Sequence, residues 1–145
     1  MLKCLLTTIA VCTVAINHAN AQSRKVYTGI PLLDEAIRFI GSGPSEVGVR
    51  KNLWCAAGVN KFLKNKGLKT TGSDRADSFA KYGKKTTSRP GAIAVMHRKG
   101  GGGHVAIVVK DLGSKVLTVS PNYTNSVKYV TYSKSEIYTY RWPVG

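Results

Sequence analysis

Three side chains able to divide an acyl-transfer reaction among them are spread along the chain: a thiol at Cys55, an imidazole at His104 and a carboxamide at Asn122. A thiolate attacks a carbonyl carbon, an imidazole takes and returns the proton, and an amide oxygen holds the ring in one tautomer. Cys55 gains weight from the N-terminal segment. Met1 to Lys3 makes a positive start, Cys4 to Ile16 is apolar, and Ala19-Asn20-Ala21 has the small-x-small form of a signal-peptidase site. Residues 1–21 therefore read as a cleaved signal peptide and residues 22–145 as one mature domain. The apolar run falls short of the ~20 residues of a bilayer crossing, so no membrane span is expected in the mature chain. Val11, before Cys12, occupies a place where lipid attachment needs a small residue. Cleavage removes Cys4 and Cys12, which leaves Cys55 as the only thiol of an exported, secreted or periplasmic protein. It is then a buried small hydrophobe, an intermolecular bridge or a nucleophile.

The elements that must position these groups follow from periodicity. Leu32, Leu33, Ala36, Ile37 and Ile40 recur at helical spacing after Pro31, and Gly41 closes the segment. Gly41 to Gly48 reads as a loop. A second amphipathic helix runs from about Cys55 to Lys66, with Ala56, Val59, Phe62 and Leu63 in one stripe and Gly67 as its stop. Ser73 is a suitable N-cap for a short third helix carrying Ala76, Phe79 and Ala80. After Pro90 the period becomes two, with short runs at Ala92–Met96, Val105–Val109, Val116–Val119, Val127–Tyr132 and Ile137–Trp142. Helices followed by a meander predict an α+β domain, its helices packed against an antiparallel sheet of about five strands. Cys55 then sits at a helix N-terminus, where unpaired N–H groups and the dipole favour a thiolate. His104 opens the central strand beyond the Gly100–Gly103 loop. If the helix packs on that strand's face, thiol and imidazole come within hydrogen-bonding reach. Asn122, in the turn after the next strand, can accept the second ring N–H. Asp111, seven residues beyond His104 along a strand, lies roughly 23 Å away and is excluded as orienter.

Charge narrows the partners. Twenty-two Lys and Arg face seven Asp and Glu in 145 residues, a formal charge of +15 that loss of Lys3 lowers to +14. Such a charge attracts polyanions. Export and the absence of an interleaved base-stacking aromatic pattern argue against nucleic acid; peptidoglycan or another anionic wall polymer fits better. The few scattered carboxylates do not suit two-carboxylate glycosidase chemistry. One cysteine and two histidines in the mature chain give no zinc spacing, so neither metal nor other cofactor is expected. The sequence leaves the oligomeric state open.

The local words Leu53-Trp54-Cys55-Ala56-Ala57 with Val59-Asn60, Thr71-Gly72-Ser73 before Ala76 and Ser78, Arg89-Pro90-Gly91-Ala92-Ile93-Ala94-Val95, Gly101-Gly102-Gly103-His104-Val105 and Ser120-Pro121-Asn122 occur in one order. Together they make the sequence resemble the CHAP family of cysteine- and histidine-dependent amidohydrolases/peptidases, in particular small secreted or phage-associated members. The resemblance runs from about Pro31 to Pro143. It implies a papain-like fold and hydrolysis of peptidoglycan amides, as a stem-peptide or cross-bridge endopeptidase or an N-acetylmuramoyl-L-alanine amidase, with Cys55, His104 and Asn122 on the catalytic positions. The backbone N–H of Cys55 is the expected oxyanion donor, with Asn52 as a side-chain candidate. Gly102 and Gly103 are expected to let substrate approach His104, while Trp54 either walls the substrate groove or belongs to the core. A different class of function, a non-catalytic basic wall- or polyanion-binding protein on the same scaffold, is distinguished by whether Cys55 matters.

Overall fold

The computed structural model describes residues 27–145, so the expected signal peptide and cleavage site lie outside the described residues. Three α-helices come first: α1 (Pro31–Arg38), α2 (Pro44–Val47) and α3 (Cys55–Asn65), followed by a 3-10 helix, Ala76–Lys81. Six strands follow: β1 (Lys84–Thr86), β2 (Ile93–Met96), β3 (His104–Asp111), β4 (Lys115–Tyr123), β5 (Ser126–Ser133) and β6 (Ile137–Trp142). They form one sheet in the order β1-β6-β2-β3-β4-β5, antiparallel throughout. The expected α+β class and its single sheet are found. The strand beyond the expected five is β1, a Lys-Lys-Thr edge segment paired with β6. Its composition carries no apolar alternation, and charge on an edge is how sheets discourage further pairing.

Two local expectations are corrected. The Gly41–Gly48 loop contains α2, a single turn whose Glu46 carboxylate accepts from the Gly43 N–H at 3.0 Å. Ser73 does not cap a helix: its hydroxyl accepts from Arg75 N–H at 3.2 Å, and the helix that starts at Ala76 is 3-10.

Helix α1 begins at a proline, whose missing N–H costs nothing there. The buried Asp34 carboxylate accepts from the Thr28 and Gly29 N–H groups at 2.6 and 3.1 Å, holding the entering chain. Glu35, also buried, takes hydrogen bonds from Arg38 at 2.9 Å and from Asn65 at 2.7 Å, and pairs with Lys66 at 3.5 Å. A buried carboxylate is tolerated when satisfied in this way, and here it ties α1 to the end of α3. Phe39 stacks on Phe62 across the same junction, centroids 5.2 Å apart.

The pleat of β3 divides the interior. Val105 and Ile107 join the helices in the main core with Leu32, Phe62 and Phe79. Ala106 and Val108 face the other way, into a smaller core with Ala94, Met96 and Val116 that Tyr132, Tyr140 and Trp142 flank. The apolar character of both faces of this central strand therefore has two different causes.

Candidate active site

Helix α3 is held against the sheet at its first turns. Trp54, the residue before it, is fully buried, and its indole N–H donates to Asn125 Oδ1 at 3.1 Å in the turn between β4 and β5. Gly58 lies so close to β4 that a Cβ there would meet Pro121 Cβ at 2.8 Å. These two contacts fix Cys55 beside the ends of β3 and β4. Trp54 is thus core and does not wall the groove, which resolves the open alternative in favour of packing. Asn60 ties the following loop to α3: its amide donates to Thr71 Oγ1 at 3.0 Å and to the Ser73 carbonyl at 2.8 Å, and its oxygen accepts from Thr71 N–H at 3.0 Å. Ser78 completes this knot through a 2.9 Å bond to Thr71 Oγ1. The loop so anchored delivers Asp74, Arg75 and Ala76 to the cavity in front of Cys55.

That cavity measures about 570 Å³ and Cys55 is among the residues that line it. Gly102 and Gly103 line it, on the side of Cys55 and not in the cavity that His104 lines. Gly100 to Gly103 all hold positive φ, 65° to 90°, a region that side chains with a Cβ seldom enter. No neighbour lies within 4 Å of the Cβ positions of Gly100, Gly101 and Gly102, so this part of the loop presents bare backbone to the cavity. Arg50, Leu53 and Arg98 complete the rim. Leu53 is exposed and held at φ 48°, a strained conformation for a non-glycine residue, with its carbonyl accepting from Arg50 Nη2 at 3.2 Å. Asn52 is exposed and does not line the cavity, so it is not placed as an oxyanion donor.

The thiol is 5 % exposed. Burial pushes its pKa up, against the pull of the Val105 N–H, the Ala56 and Cys55 N–H groups at the helix start, and the positive charge of Arg98. The N–H groups at the helix start act in the expected direction, toward the thiolate, but desolvation is larger.

The Val105 N–H that reaches the sulfur belongs to the residue after His104, so thiol and imidazole occupy adjoining places at the start of β3. They approach from different sides. By strand alternation His104 shares its face with Ala106 and Val108, away from the helices, whereas Val105 shares the face of α3. The assumption that both groups sit on the packed face is corrected accordingly, and among the described residues no hydrogen bond joins them. Catalytic hydrogen bonds are often long before substrate binds.

His104 is 7 % exposed, and burial, with Arg98 nearby, lowers its pKa to about 4. Its Nε2 is 2.7 Å from Ser120 Oγ, which is 2.9 Å from the Tyr132 hydroxyl. The contact assigned to Asn122 is thus made by Ser120, two residues earlier. Asn122 is half-buried at φ 59° and lines a second cavity of about 470 Å³ with His104, Tyr123 and Tyr132, but none of the hydrogen bonds among the described residues links it to the ring. The difference arises because β4 continues through Ser120 to Tyr123 instead of ending at Val119. With Nε2 engaged by Ser120, Nδ1 is the ring nitrogen that has no hydrogen-bond partner among the described residues.

Ser120, Tyr132, Arg98 and Leu53 are site residues the sequence reading did not assign. Ser120 stood inside a recognised word, but only strand register shows that it reaches the ring. Tyr132 carried no local signal at all.

A comparison with curated proteins finds no match. The CHAP domain family model matches residues 47–122, more than half of the chain, from the end of α2 through Cys55 and His104 to Asn122. The chain belongs to the CHAP family, whose members are associated with cysteine- and histidine-dependent amide hydrolysis in peptidoglycan.

Proposed function

We propose that this protein is an exported cysteine hydrolase of peptidoglycan amide bonds, with Cys55 as nucleophile, His104 as base and then acid, and Ser120 in the orienting place first given to Asn122. The observation that carries the reading is Cys55 lining an open cavity under the pull of the Val105 N–H, with His104, the residue before Val105, held at Nε2 by the buried Ser120 hydroxyl. The reaction begins with proton transfer from Sγ to Nδ1 as the sulfur attacks the carbonyl, in keeping with burial pushing the thiol pKa up and the imidazole pKa down. The S–C bond forms and the carbonyl oxygen becomes an oxyanion, within reach of the Cys55 N–H at the start of α3. A preorganised donor of this kind is worth about 2.7–4 kcal/mol. Nδ1 then returns its proton to the amide nitrogen as the C–N bond breaks, and the amine leaves. Water, deprotonated by the same imidazole, attacks the thioester; the acid product departs and Sγ recovers its proton.

The basic start, apolar run and small-x-small site of residues 1–21 support export, and the surplus of Lys and Arg suits an anionic wall polymer. The test is mass spectrometry of fragments released from purified peptidoglycan by the wild-type protein and by Cys55→Ser. The expected result is new amine and carboxyl termini with wild type alone and equal wall binding by both. Equal release by the two proteins, or none by wild type, refutes the hydrolase and leaves a basic wall-binding domain.

A further inference from the structure

Among the described residues, the arginines around Cys55 are not equivalent. Arg75 pairs with Asp77 at 2.7 Å, and Arg50 lies 3.8 Å from Asp74. Arg98, on the loop between β2 and β3, has no ion-pair partner. It borders both the cavity of Cys55 and the cavity of His104. Its charge acts on both groups, favouring the thiolate and opposing protonation of the ring. That combination is awkward for the reaction proposed above, because the imidazolium must form while this cation stands beside it. An anion arriving with the substrate removes the conflict.

We infer that Arg98 is the anchor for a carboxylate of the substrate, carried on the residue that supplies the scissile carbonyl. This rests on the hydrolase reading for its direction. Sulfur takes the acyl carbon, so the acyl half lies in the cavity of Cys55, where Arg50 and Arg75 are held by Asp74 and Asp77 and Arg98 is the arginine with no ion pair among the described residues. The imidazole protonates the leaving amine, so that half lies in the other cavity, where Glu136 disfavours an anion although Lys99 is also present. A guanidinium receives a carboxylate through two parallel N–H···O bonds, which a carboxamide cannot reproduce. The substrate class is therefore an acidic peptide with a free carboxylate next to the cleaved amide. The glycine loop that carries Arg98 can fit around it, since Gly100–Gly102 have no side chains to displace.

The test separates binding from cleavage. Two synthetic stem peptides, identical except for a carboxylate or a carboxamide on the residue before the scissile bond, are titrated by calorimetry at low salt into Cys55→Ala and into Cys55→Ala/Arg98→Gln. The acidic peptide is expected to bind the first protein at least 10-fold more tightly than the amide, and the ratio should fall to within twofold in the second. Equal binding of both peptides to Cys55→Ala, no binding of either, or a preference that survives Arg98→Gln overturns the anchor. Turnover of the same pair is measured with wild type and with Arg98→Gln. Selective binding without cleavage leaves the anchor standing and removes the hydrolase. Cleavage of both peptides at equal rates, with no dependence on Arg98, does the reverse.

Discussion

Replacing Ser120 by alanine tests whether this hydroxyl, and not the Asn122 amide, positions the base. The ring nitrogen lies 2.7 Å from Ser120 Oγ, and both residues are buried, so water cannot easily replace the lost partner. Leaving a buried N–H unpaired costs about 1–3 kcal/mol. If that cost falls on the imidazolium-like transition state, at 1.36 kcal/mol per factor of ten, Ser120→Ala loses about 5- to 150-fold in kcat/KM. Tyr132→Phe, which keeps Ser120 in place and removes only the 2.9 Å contact behind it, should lose less. The assay is the initial rate of soluble fragment release from dye-labelled peptidoglycan, with a melting curve for each variant to separate folding from catalysis. A kcat/KM within twofold of wild type for Ser120→Ala, alongside a large loss for Asn122→Ala, refutes the assignment.

The lowered pKa of His104 gives two pH predictions. The acid limb of kcat/KM should fall near pH 4, not near the ordinary 6.5 of a free histidine, and a limb at 6.5 argues that the ring is solvated during catalysis. In stability the sign runs the same way. The unfolded chain binds the proton first as pH drops, so this ring's contribution is present above about 6.5 and is lost on the way down to about 4, as chemical denaturation across that window measures. Gly58→Ala sets about 1 kcal/mol of gained helix propensity against the 2.8 Å clash with Pro121. Because the ring is rigid, overpacking at about 1–3 kcal/mol should win: the variant is expected to melt lower and to lose activity as α3 moves off β4, whereas a higher Tm would show that the α3–β4 contact has slack.

The features legible in the sequence are those with a local cause. Helical spacing and Gly67 announced α3, so Cys55 could be placed at its start, and the glycines before His104 announced a strand opening after a tight loop. Strand β1 and helix α2 stayed hidden for the converse reason. Each is one short segment whose composition, Lys-Lys-Thr or Pro-Ser-Glu-Val, has no period long enough to read, and only the Trp142 edge and the Glu46 capping contact give them shape.

Side-chain partnership is another matter. Which strand residue touches the ring depends on how far β4 runs past Pro121 and on which side of the pleat His104 falls. Trp54 became core because the turn holding Asn125 folds back over it. The upward shift of the Cys55 thiol also lay beyond local reading: a helix start adds a favourable field that depends on a few neighbouring N–H groups, whereas desolvation sums over everything packed around the sulfur. Chain order thus set the chemical inventory and the elements that carry it, while burial, register and the placing of Arg98 between two cavities exist only once distant segments meet, since each is a property of the space between them.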